Sequence, residues 1–351
     1  MMTYIEYKNK IAFHPGYYIN QYVEDSELSQ EEFAKRLGTT PKNLSILING
    51  EQTISLDIAT KLSKLLGTSI EYWLNLQQSY DLIICEMNED KELEKEKEVY
   101  KLIDYNYFAD NYNFPKKINI KDKISLLRKF LNLSSLSLLL KRDITIDFRS
   151  CKEELTEKNI VNANIMMQIA INDALNESEL PPYNKIKFKK SVEYALTLKE
   201  NIDSLDLIKK AFHEAGVVLV TLPNIKGSGI NGGTRKINGK RVIMINDRRH
   251  YVDTLWFTLF HEVGHVLQDE YSFVFDNKES LADSFAIDRL IPKDKYESFI
   301  FAKDFTLSSI KNFSKDIKRD SGIVLGRLMM DGFISFNNNR LNNALREKIS
   351  L

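Results

Sequence analysis

The sequence predicts an α+β chain that is mostly α: an all-helical helix-turn-helix unit near the N-terminus, then a unit with a small β-sheet and a buried helix. Three observations predict it. Between residues 28 and 74, capping residues and glycines mark off short helices. Two strand-like runs flank the Asn238-Gly239 turn signal. Residues 255–267, Leu-Trp-Phe-Thr-Leu-Phe-His-Glu-Val-Gly-His-Val-Leu, are apolar on every side with three ionisable groups embedded in them.

Residues 12–80 set up the first unit. Ser29-Gln30-Glu31-Glu32 has the form of a capping box and opens a helix through Leu37, with Gly38 at its C′ position. Thr40-Pro41 supplies an N-cap and a proline at N1 for a short helix to Ile48. Ser55 or Asp57 opens another helix to Leu66, before Gly67, and Thr68-Ser69 begins a last turn through Leu74. Two short helices joined by Gly38-Thr39-Thr40 make a helix-turn-helix. Residues 86–98 are almost entirely charged, which predicts an exposed helix or a hinge at a domain boundary. Helical periodicity returns over 121–141, 159–175 and 184–199. A helix Leu205–Ala215 stopped by Gly216, a strand Val217–Leu222 and a hairpin of 229–236 with 240–245 follow. The apolar helix comes next, then a helix over 278–290 stopped by Pro292. The expected domains are 1–80, a charged spacer and helical linker 81–158, and 159–351.

The chain has 351 residues, with 49 basic and 49 acidic side chains. Nothing in this balance points to nucleic acid or membrane for the whole chain. No apolar run reaches transmembrane length, and Met1–Lys10 is too polar to begin a secretory signal. Cys85 and Cys151 are far apart and read as core thiols, which fits a reducing cytoplasm.

His261 and His265 are four apart, so on a helix they share a face and can both reach one Zn²⁺. Glu262 flanks the side of the metal where a water binds. This is the HExxH spacing of zinc peptidases. Burying these groups without partners would be costly; a metal makes them ligands and base. A third ligand must come from elsewhere, and either Glu279 or Asp283 of the next helix can supply it. His250, His213 and His14 read as a loop, a helix-surface and a structural histidine.

Residues Trp256–Phe260, the His-Glu-Val-Gly-His segment, and Glu279-x-x-Ala282-Asp283-x-Phe285-Ala286-x-x-x-Leu290-Ile291-Pro292 together closely resemble the ImmA/IrrE family of metallopeptidases. The resemblance implies Glu279 as third ligand, which leaves Asp283 as a structural residue or as one that orients a ligating histidine. It implies a zincin-like fold and a reaction in which zinc activates water and Glu262 takes the water's proton. By analogy with zincins, the strand Gly229–Arg235 pairs with an extended peptide.

The segment from Leu28 through Ser45 is similar to phage repressor and Cro-type domains, and the wider stretch from His14 to Gln77 looks like HigA-type antitoxins. The resemblance implies that Pro41–Ile48 is the recognition helix. Lys42, Asn43 and Ser45 would face bases, and Gln30 and Thr40 phosphates, of a double-stranded operator bound by a homodimer. Residues 1–80 hold seven basic and nine acidic side chains, so binding has to use a local patch such as Lys35, Arg36 and Lys42. Segment 321–328 resembles a stretch common in fusions of these two modules.

The expectation is a cytoplasmic zinc-dependent endopeptidase that cleaves a specific regulatory protein, a repressor or a toxin–antitoxin partner, and carries a DNA-binding module. The alternative is a HigA-like antitoxin and transcription regulator whose metal domain senses or docks a partner.

Overall fold

The computed structural model describes residues 4–141, 156–269 and 278–351. They form two compact units, Met1–Lys95 and Glu96–Leu351. The division falls inside the charged run rather than at residue 80.

The first unit opens with a hairpin that the sequence reading did not anticipate. Strands β1 (Tyr4–Tyr7) and β2 (Lys10–Phe13) pair antiparallel around Lys8 and Asn9, whose φ angles are +47° and +61°. Two adjacent left-handed residues are what a type I′ turn needs. Helix α1 (Pro15–Asp25) is capped by the buried His14, whose Nδ1 accepts from the Gly16 N–H at 3.0 Å. Burial holds that imidazole below its ordinary pKa. In α2 (Gln30–Leu37) Ser29 Oγ accepts from Glu32 N at 3.2 Å. The Glu32 carboxylate turns to Arg36 Nε at 3.2 Å, so the expected capping box is only half made. Gly38 closes α2 with a φ of +70°.

Thr40 caps α3 (Pro41–Ile48), and Ser55 caps α4 (Leu56–Leu66). The apolar stripes of these helices meet at Ile19, Phe33, Leu44, Leu47, Leu62 and Trp73. The last helix, α5, corrects the expectation of a single turn: it runs Ile70–Leu102. The Glu/Lys run continues it because these residues are strong helix formers and form i,i+3 pairs such as Glu98–Lys101. Asp90 on α5 meets both Tyr7 and Lys8 of the hairpin. Cys85 is exposed on α5, not a core thiol; Cys151 lies outside the described residues.

In the second unit α6 (Tyr105–Asn111) and α7 (Ile120–Leu131) come first. Asn132, at φ +55°, ends α7, and a 3₁₀ turn covers Leu136–Leu140, so the periodicity read over 121–141 is not one helix. Helix α8 (Glu157–Asn176) is buried almost all round over 160–171. Its Asn162 and Asn164 amides reach the carbonyls of Leu102 and Leu139 at 2.9 and 2.8 Å, tying residues 96–141 into this unit. Helices α9 (Lys185–Thr197) and α10 (Ile202–His213) precede the sheet.

Strands β3 (Val217–Leu222), β4 (Gly232–Ile237) and β5 (Lys240–Asn246) lie in the order β3-β5-β4. β5 is parallel to β3 and antiparallel to β4, the latter through the expected Asn238-Gly239 turn. The remaining helices are α11 (Val252–Gln268), α12 (Lys278–Leu290), α13 (Lys293–Phe301), α14 (Leu307–Asp316), α15 (Ser321–Met330) and α16 (Asn339–Leu345). Phe188, Phe212, Ile243, Trp256, Phe260 and Leu328 lie in one core that joins the sheet to α11 and α15. Among the described residues no helix is long and apolar enough to cross a membrane.

Candidate functional site

Helix α11 is the centre of the second unit because nearly every side chain from Val252 to Val266 is buried. Three of those are ionisable groups in one turn: His261 is 1 % exposed, Glu262 5 % and His265 4 %. Such groups are tolerated inside only when paired or bound. Two kinds of pairing are present. His261 Nδ1 lies 2.8 Å from Oδ1 of Asp283 on α12. A carboxylate can only accept, so Nδ1 carries a proton, and in the neutral ring Nε2 then keeps its lone pair. That nitrogen is 3.1 Å from Nε2 of His265. Two nitrogens on one tetrahedral zinc, each about 2.0–2.1 Å away, lie roughly 3.3 Å apart. The imidazoles stand about as far apart as two ligands of one zinc would, and the contact with Asp283 fixes the orientation of one of them.

Two glycines set the close approaches around this turn. A Cβ on Gly264 would stand 3.3 Å from the Ala282 Cα, so α12 comes unusually near α11 here. A Cβ on Gly232 would stand 2.6 Å from a Thr258 methyl and 3.0 Å from Glu262 Oε1. The edge strand β4 thus lies directly against the Glu262 carboxylate.

Glu279 stands in the first turn of α12, one turn before Asp283, but its side chain falls outside the described residues. Among the described residues no three His, Cys, Asp or Glu side chains form a metal-holding group. The histidine pair and Glu262 are the part of the expected set whose geometry can be stated.

A further pair anchors the start of α11. Arg346 reaches Asp253 with Nε at 3.0 Å and Nη2 at 2.7 Å, and Thr254 Oγ1 at 3.0 Å. Its guanidinium also lies 3.9 Å over the Tyr251 ring. Burial pushes the Asp253 carboxyl up, and the Arg346 hydrogen bond and charge oppose this. The following residues continue the clamp: Glu347 O accepts from Val252 N at 3.0 Å, and Ile349 N donates to His250 O at 3.1 Å. Sequence reasoning missed this pair, since its partners are 93 residues apart and neither sits in a motif.

In the first unit, α3 presents Lys42 and Asn43 to solvent, while Leu44, Leu47 and Ile48 are buried. Ser45 is half-buried. Gln30 is exposed at the start of α2. Thr40 is exposed too, and its hydroxyl already accepts from Asn43 N at 3.1 Å. Lys35 and Arg36 are exposed on α2. The five expected DNA contacts thus sit on or beside the two helices of one motif.

Comparison with known proteins bears on this unit. A helix-turn-helix family model matches residues 19–73. An uncharacterized HTH-type transcriptional regulator of Escherichia coli K12, YddM, is 34 % identical over 83 residues, 23 % of this chain and 88 % of that protein. Virulence-associated protein I of Dichelobacter nodosus is 31 % identical over 83 residues, again 23 % of this chain and 77 % of that protein. Among solved structures, an addiction module antidote protein of a HigA family from Coxiella burnetii is 32 % identical, with a TM-score of 0.22, covering 24 % of this chain and 91 % of its own. Through its N-terminal unit, the chain belongs to the helix-turn-helix transcriptional regulators.

Proposed function

We propose that the protein is a zinc-dependent endopeptidase that cleaves one regulatory protein, a repressor or a toxin–antitoxin partner, and that its helix-turn-helix unit binds an operator as a homodimer. The observation that supports the peptidase is the convergence of His261 and His265, 3.1 Å apart at Nε2, with Asp283 fixing the first ring and Glu262 beside them. With Glu279 the histidines would hold the metal, which when bound supplies an activated water and a polarised carbonyl. Glu262 takes the proton at its carboxylate and returns it to the leaving amine. Strand β4, adjacent through Gly232, offers its outer edge to an extended peptide.

The test begins with Glu262→Gln protein as bait in its native host. The partner it retains should be cut by wild-type protein and not by Glu262→Gln, with equal zinc in both. Cleavage at the wild-type rate by Glu262→Gln rules out Glu262 as the base.

The matches to helix-turn-helix regulators favour a second reading, a DNA-binding antitoxin-like regulator whose second unit docks a partner without cutting it. A partner bound tightly and left intact by zinc-loaded protein would support it.

A further inference from the structure

Helix α9 opens on Lys185-Ile186-Lys187-Phe188-Lys189-Lys190, four cations in six residues with no acid among them. Phe188 is buried and the other five side chains are exposed, so the helix turns its lysines outward. The Asn184 N–H donates to Ala215 O at 3.0 Å, which sets this start of α9 beside the end of α10. A groove of about 530 Å³ runs between the two helices, with Lys187 and Lys190 on one wall and Lys210 on the other. Lys185 and Lys189, one turn apart, flank it along α9. The one carboxylate in the groove is Glu214. Acids nearby are engaged elsewhere: Glu193 with Arg289, Asp206 with Lys209 and Glu177 with His213. Among the described residues, none of the five lysines is paired with a carboxylate.

The first unit is short of such charge. Four of its cations are taken by carboxylates: Lys8 by Asp90, Lys10 by Glu86, Arg36 by Glu32 and Lys61 by Asp57. Of the seven basic side chains in residues 1–80, that leaves Lys35, Lys42 and Lys64, against nine acids. Affinity for DNA rests largely on phosphate neutralisation, which this balance supplies poorly. Lysine is also a flexible point charge without the planar fork of arginine, so a face built of lysines alone suits phosphates in any sequence.

Resting on the DNA-binding reading of the first unit, we infer that the lysine face of α9 and α10 is a second DNA contact, which holds the phosphate backbone of a duplex without reading its sequence. The occupant is DNA because charge complementary to a polyanion is gathered here and is lacking in the unit that carries the recognition helix.

The test uses full-length protein and a fluorescein-labelled scrambled duplex of about 30 bp, read by anisotropy between about 50 and 200 mM KCl. Each lysine on a phosphate adds about 0.9 to the slope of log affinity on log salt, so Lys185→Gln, Lys187→Gln, Lys189→Gln and Lys190→Gln together should make it shallower by about 2–4. Arginine at the same four positions should keep the wild-type slope. An unchanged slope in the folded glutamine variant, a loss in the arginine variant as well, or no binding of the duplex by wild-type protein overturns the inference. A fluorescein-labelled decaglutamate bound as tightly as the duplex overturns it in favour of an acidic protein segment. Preference for the chain's own promoter over the scrambled duplex is measured alongside. Preference with an unchanged slope overturns the lysine face alone. A lysine-dependent slope without preference leaves the face standing and removes the operator reading.

Discussion

His261 and Asp283 meet at 2.8 Å, Nδ1 to Oδ1, across the contact between α11 and α12. The histidine is 1 % exposed and the aspartate 29 %, so the bond runs from the core to the margin of the site. The pair converts a helix contact into an oriented imidazole, and the first prediction follows from it. Asp283→Ala should leave the fold intact and weaken zinc binding about 10–100-fold, the usual cost of losing such a partner. Competition with a chelating dye would measure it; wild-type affinity in the variant would mean that Asp283 does not orient His261.

The Arg346–Asp253 clamp is nearly buried, with side-chain exposures of 15 % and 6 %. Arg346→Ala leaves a carboxylate buried without its cation, and breaking such a pair costs about 3–5 kcal/mol. Chemical denaturation followed at Trp256, with Trp73 replaced by Phe, should show the second unit destabilised by that order. A loss below about 1 kcal/mol would show that the carboxylate is solvated after the cation leaves.

Lys42 and Asn43 are the exposed polar side chains in the first turn of α3. Asn43→Ala should relax base preference by about 1–3 kcal/mol, and Lys42→Ala should weaken binding and lower its salt dependence. A gel shift on the chain's own promoter at low salt is the measurement. Equal binding by wild-type protein and both variants would point to a protein-binding role for this unit.

His14 makes the first unit sensitive to pH. Its folded pKa lies below the ordinary 6.5, through burial, with Asp81 opposing in part. The unfolded chain therefore binds a proton that the folded one refuses. Stability from the neutral ring is present above pH 6.5 and is lost as pH falls through the unfolded value toward the folded one. Melting of the full chain, read at Trp73 in a Trp256→Phe background, should drop between about pH 7.5 and 5.5, where an imidazole titrates. His14→Asn, which keeps an acceptor and cannot titrate there, should flatten the profile; an unchanged drop would assign the effect elsewhere.

The elements legible in the sequence are those with local causes. Ser29 and Thr40 each cap the helix they were expected to open, Ser55 rather than Asp57 caps the next, and Gly38 and Gly67 close theirs at positive φ. The Asn238-Gly239 turn and the pairing of β4 with β5 follow from the same short-range chemistry. The i,i+4 spacing put His261 and His265 on one face, and Asp283 of the next helix meets the first of them. What escaped depends on distant partners or weak patterns. The β1–β2 turn uses Lys8-Asn9, an uncommon pair for that geometry, and its strands are only four residues long. The run 86–98 has too few apolar residues to show a helical face, so the length of α5 was hidden. The clamp on Asp253 and the close approach of Gly232 to Glu262 exist only once the sheet and the α16 end have packed.

The central claim rests on a metal, and zinc per chain in purified full-length protein tests it most directly. One zinc per chain is predicted for wild-type and Glu262→Gln protein, because the amide removes a base and no ligand. His261→Ala, His265→Ala and Glu279→Ala should each hold far less while keeping the wild-type circular dichroism spectrum. Wild-type protein refolded with zinc and still empty after desalting, or full zinc in folded His261→Ala and Glu279→Ala, would contradict the account.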